Sequence, residues 1–179
     1  MTTDRAARMR RHLEAEIARL GAAIGLKDGP TFENHDGARP FILVCGDGTL
    51  QYLALERGVI CFSRTTRDPD ELLYWAYADA TATLALHWTN KRGLTGEKHL
   101  AAKWKRRATL LHSLNPEWAK RWRAELIETL GPEGEHHLVP TLPPPPATTT
   151  SWRCVRQSTA QGSCGRRGRR ERRRTRWRR

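Results

Sequence analysis

Asp79 and His87 are the two side chains whose types and spacing come nearest to acid–base chemistry. Asp79 lies in a long apolar stretch, Leu72–Trp88, and a carboxylate held among apolar residues can act as a general acid or base. His87 follows eight residues later, about two helical turns on and on the same side of a helix. Alternatively, Asp79 is a structural acid that accepts hydrogen bonds from a Tyr, Trp or Arg. We favour the structural role, because no Ser, Cys or further His at suitable spacing completes a catalytic set.

The spacing of the other His and Cys residues does not indicate a metal site, a phosphate loop or a disulfide. His136-His137 lack further ligands nearby and are typical of a solvated loop. The segment Cys45–Gly48 lacks the Lys of a phosphate loop and is typical of a hairpin turn. Cys45 and Cys61 lie in β-like runs, where a free Cys acts as a small buried apolar residue. We therefore expect no metal and no cofactor.

Aromatic and basic side chains supply the candidates for binding a partner. Trp88, at the end of its apolar stretch, is expected to be partly exposed, and aromatic residues often anchor interfaces. Arg106, Arg107 and Arg121 belong to a basic cluster on the last two predicted helices. This cluster could bind phosphates or an acidic partner, or it could be an ordinary solvated face. The candidate partner-binding residues are thus Trp88, Arg106, Arg107 and Arg121.

The positive charge is concentrated at the C-terminal end of the sequence. Residues 151–179 contain twelve Arg and one acid, Glu171, whereas residues 1–150 contain 20 basic and 18 acidic residues. An Arg-rich run binds nucleic acid without sequence preference. An alternative function is therefore a nucleic-acid-binding protein that uses the last two helices and this tail. The tail contains no Lys, Ile, Leu or Phe, which is also typical of an out-of-frame reading of a GC-rich gene, so we do not assign it to the functional domain.

The elements that position these side chains are predicted from periodicity and from capping residues. Asp68-Pro69-Asp70-Glu71 combines an N-cap, a proline at the first helical position and the spacing of a capping box. Asn115-Pro116-Glu117 is a similar helix start. The predicted order is a helix at about 4–24, strands at 41–45, 50–56 and 59–63, the central helix through Leu72–Trp88, and helices at about 97–113 and 117–130.

These elements predict one α+β domain over residues 1–132. Short Gly-containing turns favour a small antiparallel sheet packed on the buried central helix, with an N-terminal helix and a C-terminal helix hairpin around it. A Pro/Thr-rich linker at 133–150 and a disordered Arg-rich tail at 151–179 are expected to follow. The sequence shows no secretory signal and no bilayer span, so we expect a cytoplasmic protein without a membrane partner.

Two blocks of the sequence resemble the immunity protein 63 family of bacterial polymorphic toxin systems. The first is Glu71-Leu72-Leu73-Tyr74-Trp75 with Asp79 and Thr81, and the second is Leu114-Asn115-Pro116-Glu117-Trp118-Ala119. The resemblance covers roughly residues 41–131. It implies a non-enzymatic protein that binds the toxic domain encoded beside it, and it supplies no catalytic residues. On this basis we expect neutralisation of a cognate toxin domain, with nucleic acid as a partner only through the Arg-rich tail.

Overall fold

Four helices and a three-stranded antiparallel sheet make up the part of the chain that the computed structural model describes, residues 2–131, and confirm the α+β prediction. The elements are α1 (Thr2–Ala23), β1 (Phe41–Val44), β2 (Leu50–Glu56), β3 (Val59–Thr66), α2 (Pro69–Asn90), α3 (Gly96–Leu114) and α4 (Pro116–Leu130). β3 is three residues longer than predicted. The predicted linker at 133–150, the Arg-rich tail and His136-His137 lie outside the described residues, so the predictions about them remain predictions.

The sheet is an antiparallel meander in the order β1-β2-β3. Arg57 and Gly58 connect β2 to β3, and both have positive φ angles, 51° and 76°, as a two-residue hairpin with matching twist requires. The pairing is irregular after Ala54 and skips Cys61, whose side chain is exposed and whose thiol donates to the Ala54 carbonyl at 3.3 Å. The prediction that Cys61 is buried is therefore wrong, because β3 is an edge strand with a bulge at that point. Cys45 is half-buried rather than fully buried.

The start of α2 follows the predicted capping only in part. The Asp68 carboxylate accepts from the Asp70 amide at 3.0 Å, and Pro69 is at the first helical position, as predicted. The predicted capping box does not form, because the Asp68 amide donates to the Thr66 hydroxyl at 3.0 Å and not to the Glu71 side chain. The Glu71 side chain, which would have closed the box, is bound by Arg121.

The core forms where α2 meets the sheet, α1 and the α3–α4 hairpin. Its fully buried members include Leu13 of α1, Ile42 of β1, Leu50 of β2, Leu72, Tyr74 and Tyr77 of α2, and Leu111 of α3. Tyr77 connects α1 to this core, since its hydroxyl donates to the Ile17 carbonyl at 2.5 Å. On the other side, its ring stacks on Trp118 of α4 with the centroids 6.2 Å apart.

One side of α2 is open, in contrast to the prediction of a helix buried on nearly all sides. From the middle of the helix onwards, the exposed residues cluster on one side: Asp79, Thr83, Leu86, His87 and Asn90. The interior location predicted for Asp79 is therefore wrong. The apolar run does fill the other sides of the helix, where α2 packs on β2, β3 and α3.

Candidate partner-binding surface

Polar contacts between α2 and α4 fix the relative position of the two helices. The Trp118 indole donates to the Asp70 carboxylate at 3.1 Å, Arg121 donates to Glu71, and the Tyr74 hydroxyl donates to Glu125 at 2.6 Å. The three contacts come in the same order along both helices, so α4 runs in the same direction as the first turns of α2.

Arg121 is the central residue of this α2–α4 link. Its guanidinium binds both Glu71 and Glu125 and lies 4.0 Å from the centroid of the Tyr74 ring. The hydrogen bond with Glu71 raises the pKa of Arg121, and the same bond lowers the pKa of Glu71. As a candidate partner-binding residue, Arg121 thus already has its charge matched within the domain, and a role at an interface stays a prediction.

Arg107 also points into the domain. Its Nη2 donates to the Ala78 carbonyl of α2 at 2.9 Å, and its guanidinium lies 4.9 Å from the centroid of the Trp122 ring. Burial lowers the pKa of Arg107, and its Nε is buried without a hydrogen-bond partner in the described part of the chain. These contacts give Arg107 a packing role between α2 and α4, and its predicted role in binding a partner is untested.

Trp88 is half-buried, as predicted, at the C-terminal end of α2. The guanidinium of Arg92 lies 3.8 Å from the centroid of its ring, and that of Arg106, on α3, lies 5.9 Å from it. We call these three residues the Trp88 surface. Cation–π contact holds each guanidinium against the ring without neutralising its charge.

The chain around the Trp88 surface is strongly basic. Residues 86–113 contain seven Lys or Arg and one acid, Glu97, although residues 1–150 as a whole are almost neutral. Sequence reasoning identified Trp88 and Arg106 but missed Arg92. The available signal was the spacing of four residues between Trp88 and Arg92, about one helical turn, although Arg92 lies in the turn just after α2.

Contacts between α2 and α3 hold the Trp88 surface in place. Thr89, next to Trp88, is fully buried, and its hydroxyl lies 2.9 Å from Nε2 of His99 on α3. The same nitrogen lies 3.2 Å from the Asn90 side-chain oxygen. The end of α2 is thereby joined to the start of α3, the two helices that carry Trp88 and Arg106.

Asp79 and His87 line a second feature, a groove of about 530 Å³ between α2 and the segment 25–40. The Tyr52 hydroxyl donates to the Asp79 carboxylate at 2.9 Å, which confirms the predicted structural acceptor role. No hydrogen bond joins Asp79 to His87 in the described structure. Nor does any group of three His, Cys, Asp or Glu side chains within residues 2–131 form a set of metal ligands.

Comparison with known protein families finds a match for most of the residues that the structure describes. Residues 46–128 match the model of the immunity protein 63 family. This region is similar to the immunity protein 63 family. The match contains both motif blocks and confirms the resemblance found in the sequence. No curated protein and no solved structure matches the chain significantly.

The immunity protein 63 region extends from β2 to the last turns of α4 and leaves α1 and β1 outside it. Its motif residues are largely structural: Glu71, Tyr74 and Trp118 make the α2–α4 link, and Thr81 is buried with its hydroxyl bonded to the Tyr77 carbonyl at 2.6 Å. The motif therefore forms the fold and does not by itself locate a binding surface. None of the helices described between residues 2 and 131 has both the length and the apolar content needed to span a bilayer.

Proposed function

We propose that this protein is a cytoplasmic immunity protein that binds and neutralises the toxic domain of a bacterial polymorphic toxin. The observation that carries the proposal is the match of residues 46–128 to the immunity protein 63 family. Neutralisation is by stoichiometric binding, with no reaction catalysed by the immunity protein and no cofactor. The partner is the cognate toxic domain encoded beside it.

The Trp88 surface is the part of the domain best suited to contact the toxin. Trp and Arg are the residues that most often dominate binding energy at interfaces. Because Arg92 and Arg106 are already held against the Trp88 ring, ordering these side chains on binding costs less entropy than fixing free ones. The basic charge around them matches an acidic area on the toxin.

The proposed mechanism is steric. An interface of standard size buries about 1,600 Å² in total, which is enough to cover an active site or to block the path of a substrate. The contacts of Arg121 with Glu71 and of Thr89 with His99 support this mechanism, because they hold the helices beneath the surface in one arrangement. A pre-organised surface loses less free energy to ordering when it binds.

Growth of bacteria that express the toxic domain tests the proposal. The full chain is co-expressed with the toxic C-terminal domain encoded by the gene immediately upstream, and an empty vector is the control. We expect growth to be restored by the full chain and not by the vector. Failure to restore growth, with both proteins present at comparable levels, would count against neutralisation.

No observation on the described residues favours the alternative, nucleic acid binding by the helix hairpin and the Arg-rich tail.

A further inference from the structure

Within residues 2–131, the outer edge of β3 is open. β3 pairs with β2 on one side, and within residues 2–131 no strand pairs with its other side. An open strand edge presents backbone N–H and C=O groups that can pair with an incoming strand. β3 is eight residues long, which is long enough for an extended peptide to add to it.

The start of β3 is also apolar and exposed. Val59 is 67% exposed and Ile60 is 59% exposed, the two highest values among the large apolar side chains of the described residues. Cys61, which the pairing with β2 skips, is exposed beside them. Three consecutive residues of this kind at a strand edge are costly to leave in water and favour contact with another apolar strand.

We propose that β3 accepts an extended segment of a protein partner, with alternating apolar and acidic side chains, as a fourth strand of the sheet. The charge of the strand selects this occupant: residues 57–67 contain Arg57, Arg64 and Arg67 and no acid, while Glu56 and Asp68 border the segment and Asp68 caps α2. The Arg64 guanidinium is held on the rings of Phe62 and Trp75, at 5.3 and 5.6 Å from their centroids. A Glu or Asp on the incoming strand would meet a cation that is already positioned.

The same charges argue against two other occupants. A second copy of the chain, paired antiparallel about the middle of β3, would bring Arg57 of each copy opposite Arg67 of the other. The chain's own residues 151–179 contain twelve Arg and one acid, so they carry the same sign as the edge. Like charges on neighbouring strands are destabilising.

This edge lies on the sheet, whereas the Trp88 surface lies on α2, the turn after it and α3, so the proposal goes beyond the proposed function. It does not depend on the identity of the toxin. It can be tested with a synthetic peptide instead of a natural partner.

The probe is an eight-residue peptide of alternating Glu and Val, capped at both ends, added to the full-length protein. Amide chemical shifts and amide hydrogen exchange are followed residue by residue. We expect the shifts to change, and exchange to slow, chiefly at residues 59–66. A peptide with Lys in place of Glu is expected to bind at least about tenfold more weakly. The Glu/Val peptide carrying N-methyl groups on alternate backbone amides should not bind, because it cannot form backbone hydrogen bonds with the strand.

The variants Ile60→Glu and Leu86→Glu provide a matched pair. Both positions are exposed and apolar, but Leu86 is on α2, away from the sheet edge. We expect Ile60→Glu to weaken binding at least about tenfold and Leu86→Glu to leave it unchanged. The proposal would be overturned if the Lys peptide bound as tightly as the Glu peptide. It would also be overturned if the Glu peptide changed neither the amide shifts nor the hydrogen exchange of β3. Shifts at β3 on raising the protein concentration alone would indicate a second copy instead, and shifts on deleting residues 151–179 would indicate the tail.

Discussion

Arg121 of α4 forms two hydrogen bonds with the carboxylate of Glu71 on α2, at 2.5 and 2.8 Å. Fifty residues separate them in the sequence. Glu71 opens the first family block, and Arg121 follows the second block by two residues. The two blocks that identify the family are thus joined in space, and their order in the sequence reflects how α2 and α4 pack together.

Replacing Glu71 by Gln should destabilise the domain in a pH-dependent way. We expect a loss of about 1–2 kcal/mol in the free energy of unfolding at pH 7, because Arg121 loses a charged acceptor at a partly exposed site. The bond with Arg121 lowers the pKa of Glu71 below 4.5, so its stabilisation is complete above pH 4.5 and is lost as the pH falls through the lowered pKa. Urea unfolding of the parent and variant proteins at several pH values measures this. If the free energies of unfolding of parent and variant differed equally at pH 7 and at pH 2.5, the prediction would be contradicted.

The tyrosines should resist ionisation as long as the protein is folded. The chain has three, Tyr52, Tyr74 and Tyr77, and burial is the main cause that raises the pKa of each, to about 12 for Tyr77. Because the folded-state pKa lies above the ordinary value of 10.0, the stabilisation is present below pH 10 and is lost as the pH rises through the folded value. We expect tyrosinate absorbance to appear together with alkaline unfolding. Ionisation near pH 10 in the folded protein would show that the rings are not buried as described.

Two substitutions of Asp79 should differ in their effect on stability. Asp79→Asn keeps an oxygen that can accept from the Tyr52 hydroxyl, so we expect a loss of less than about 1 kcal/mol. Asp79→Ala removes the acceptor from a buried ring, and we expect a loss of about 1–3 kcal/mol. Thr83→Ala, on the same exposed side of α2, is the control and should change stability little. An unchanged melting temperature for Asp79→Ala would contradict the structural role of this carboxylate.

Deleting residues 151–179 should separate the two functional interpretations. The immunity function predicts that the shortened chain still protects cells from the toxic domain, since the family match ends at residue 128. The nucleic-acid alternative predicts that function is lost, because twelve of the 32 basic residues are removed. The measurements are growth protection and binding to a random-sequence DNA duplex at several salt concentrations. Loss of protection with retained folding would favour the alternative.

Local signals in the sequence predicted the element order well. The side chains of Asp68 and Asn115 cap α2 and α4 as expected, because capping depends on residues within one turn. The predicted capping box failed for a non-local reason: Glu71 binds Arg121, which the sequence places fifty residues away. Arg107 likewise belongs to a local run of charge but finds its partners, the Ala78 carbonyl and the Trp122 ring, on other helices.

It was harder to predict which side of a helix or strand is covered by its neighbours. The apolar run of α2 indicates a buried helix, but it does not show that the side carrying Asp79 and His87 is open. Similarly, the run Val59-Ile60-Cys61 is typical of a buried strand, and it is exposed because β3 is at the edge of the sheet. Strand order and helix packing are properties of the whole fold, so they cannot be predicted from the hydropathy of one segment.

The measurement that tests the central claim most directly is calorimetric titration of the full-length protein with the cognate toxic domain. The Arg92→Glu/Arg106→Glu double variant is compared with Arg8→Glu/Arg11→Glu, which makes the same change in net charge at exposed residues of α1. We predict a one-to-one complex, weakened at least about thirtyfold by the first double variant, as loss of about 2 kcal/mol at an interface hot spot implies. The control should bind like the parent protein. Absence of a complex would contradict the proposed function, and equal weakening by both double variants would contradict binding through the Trp88 surface.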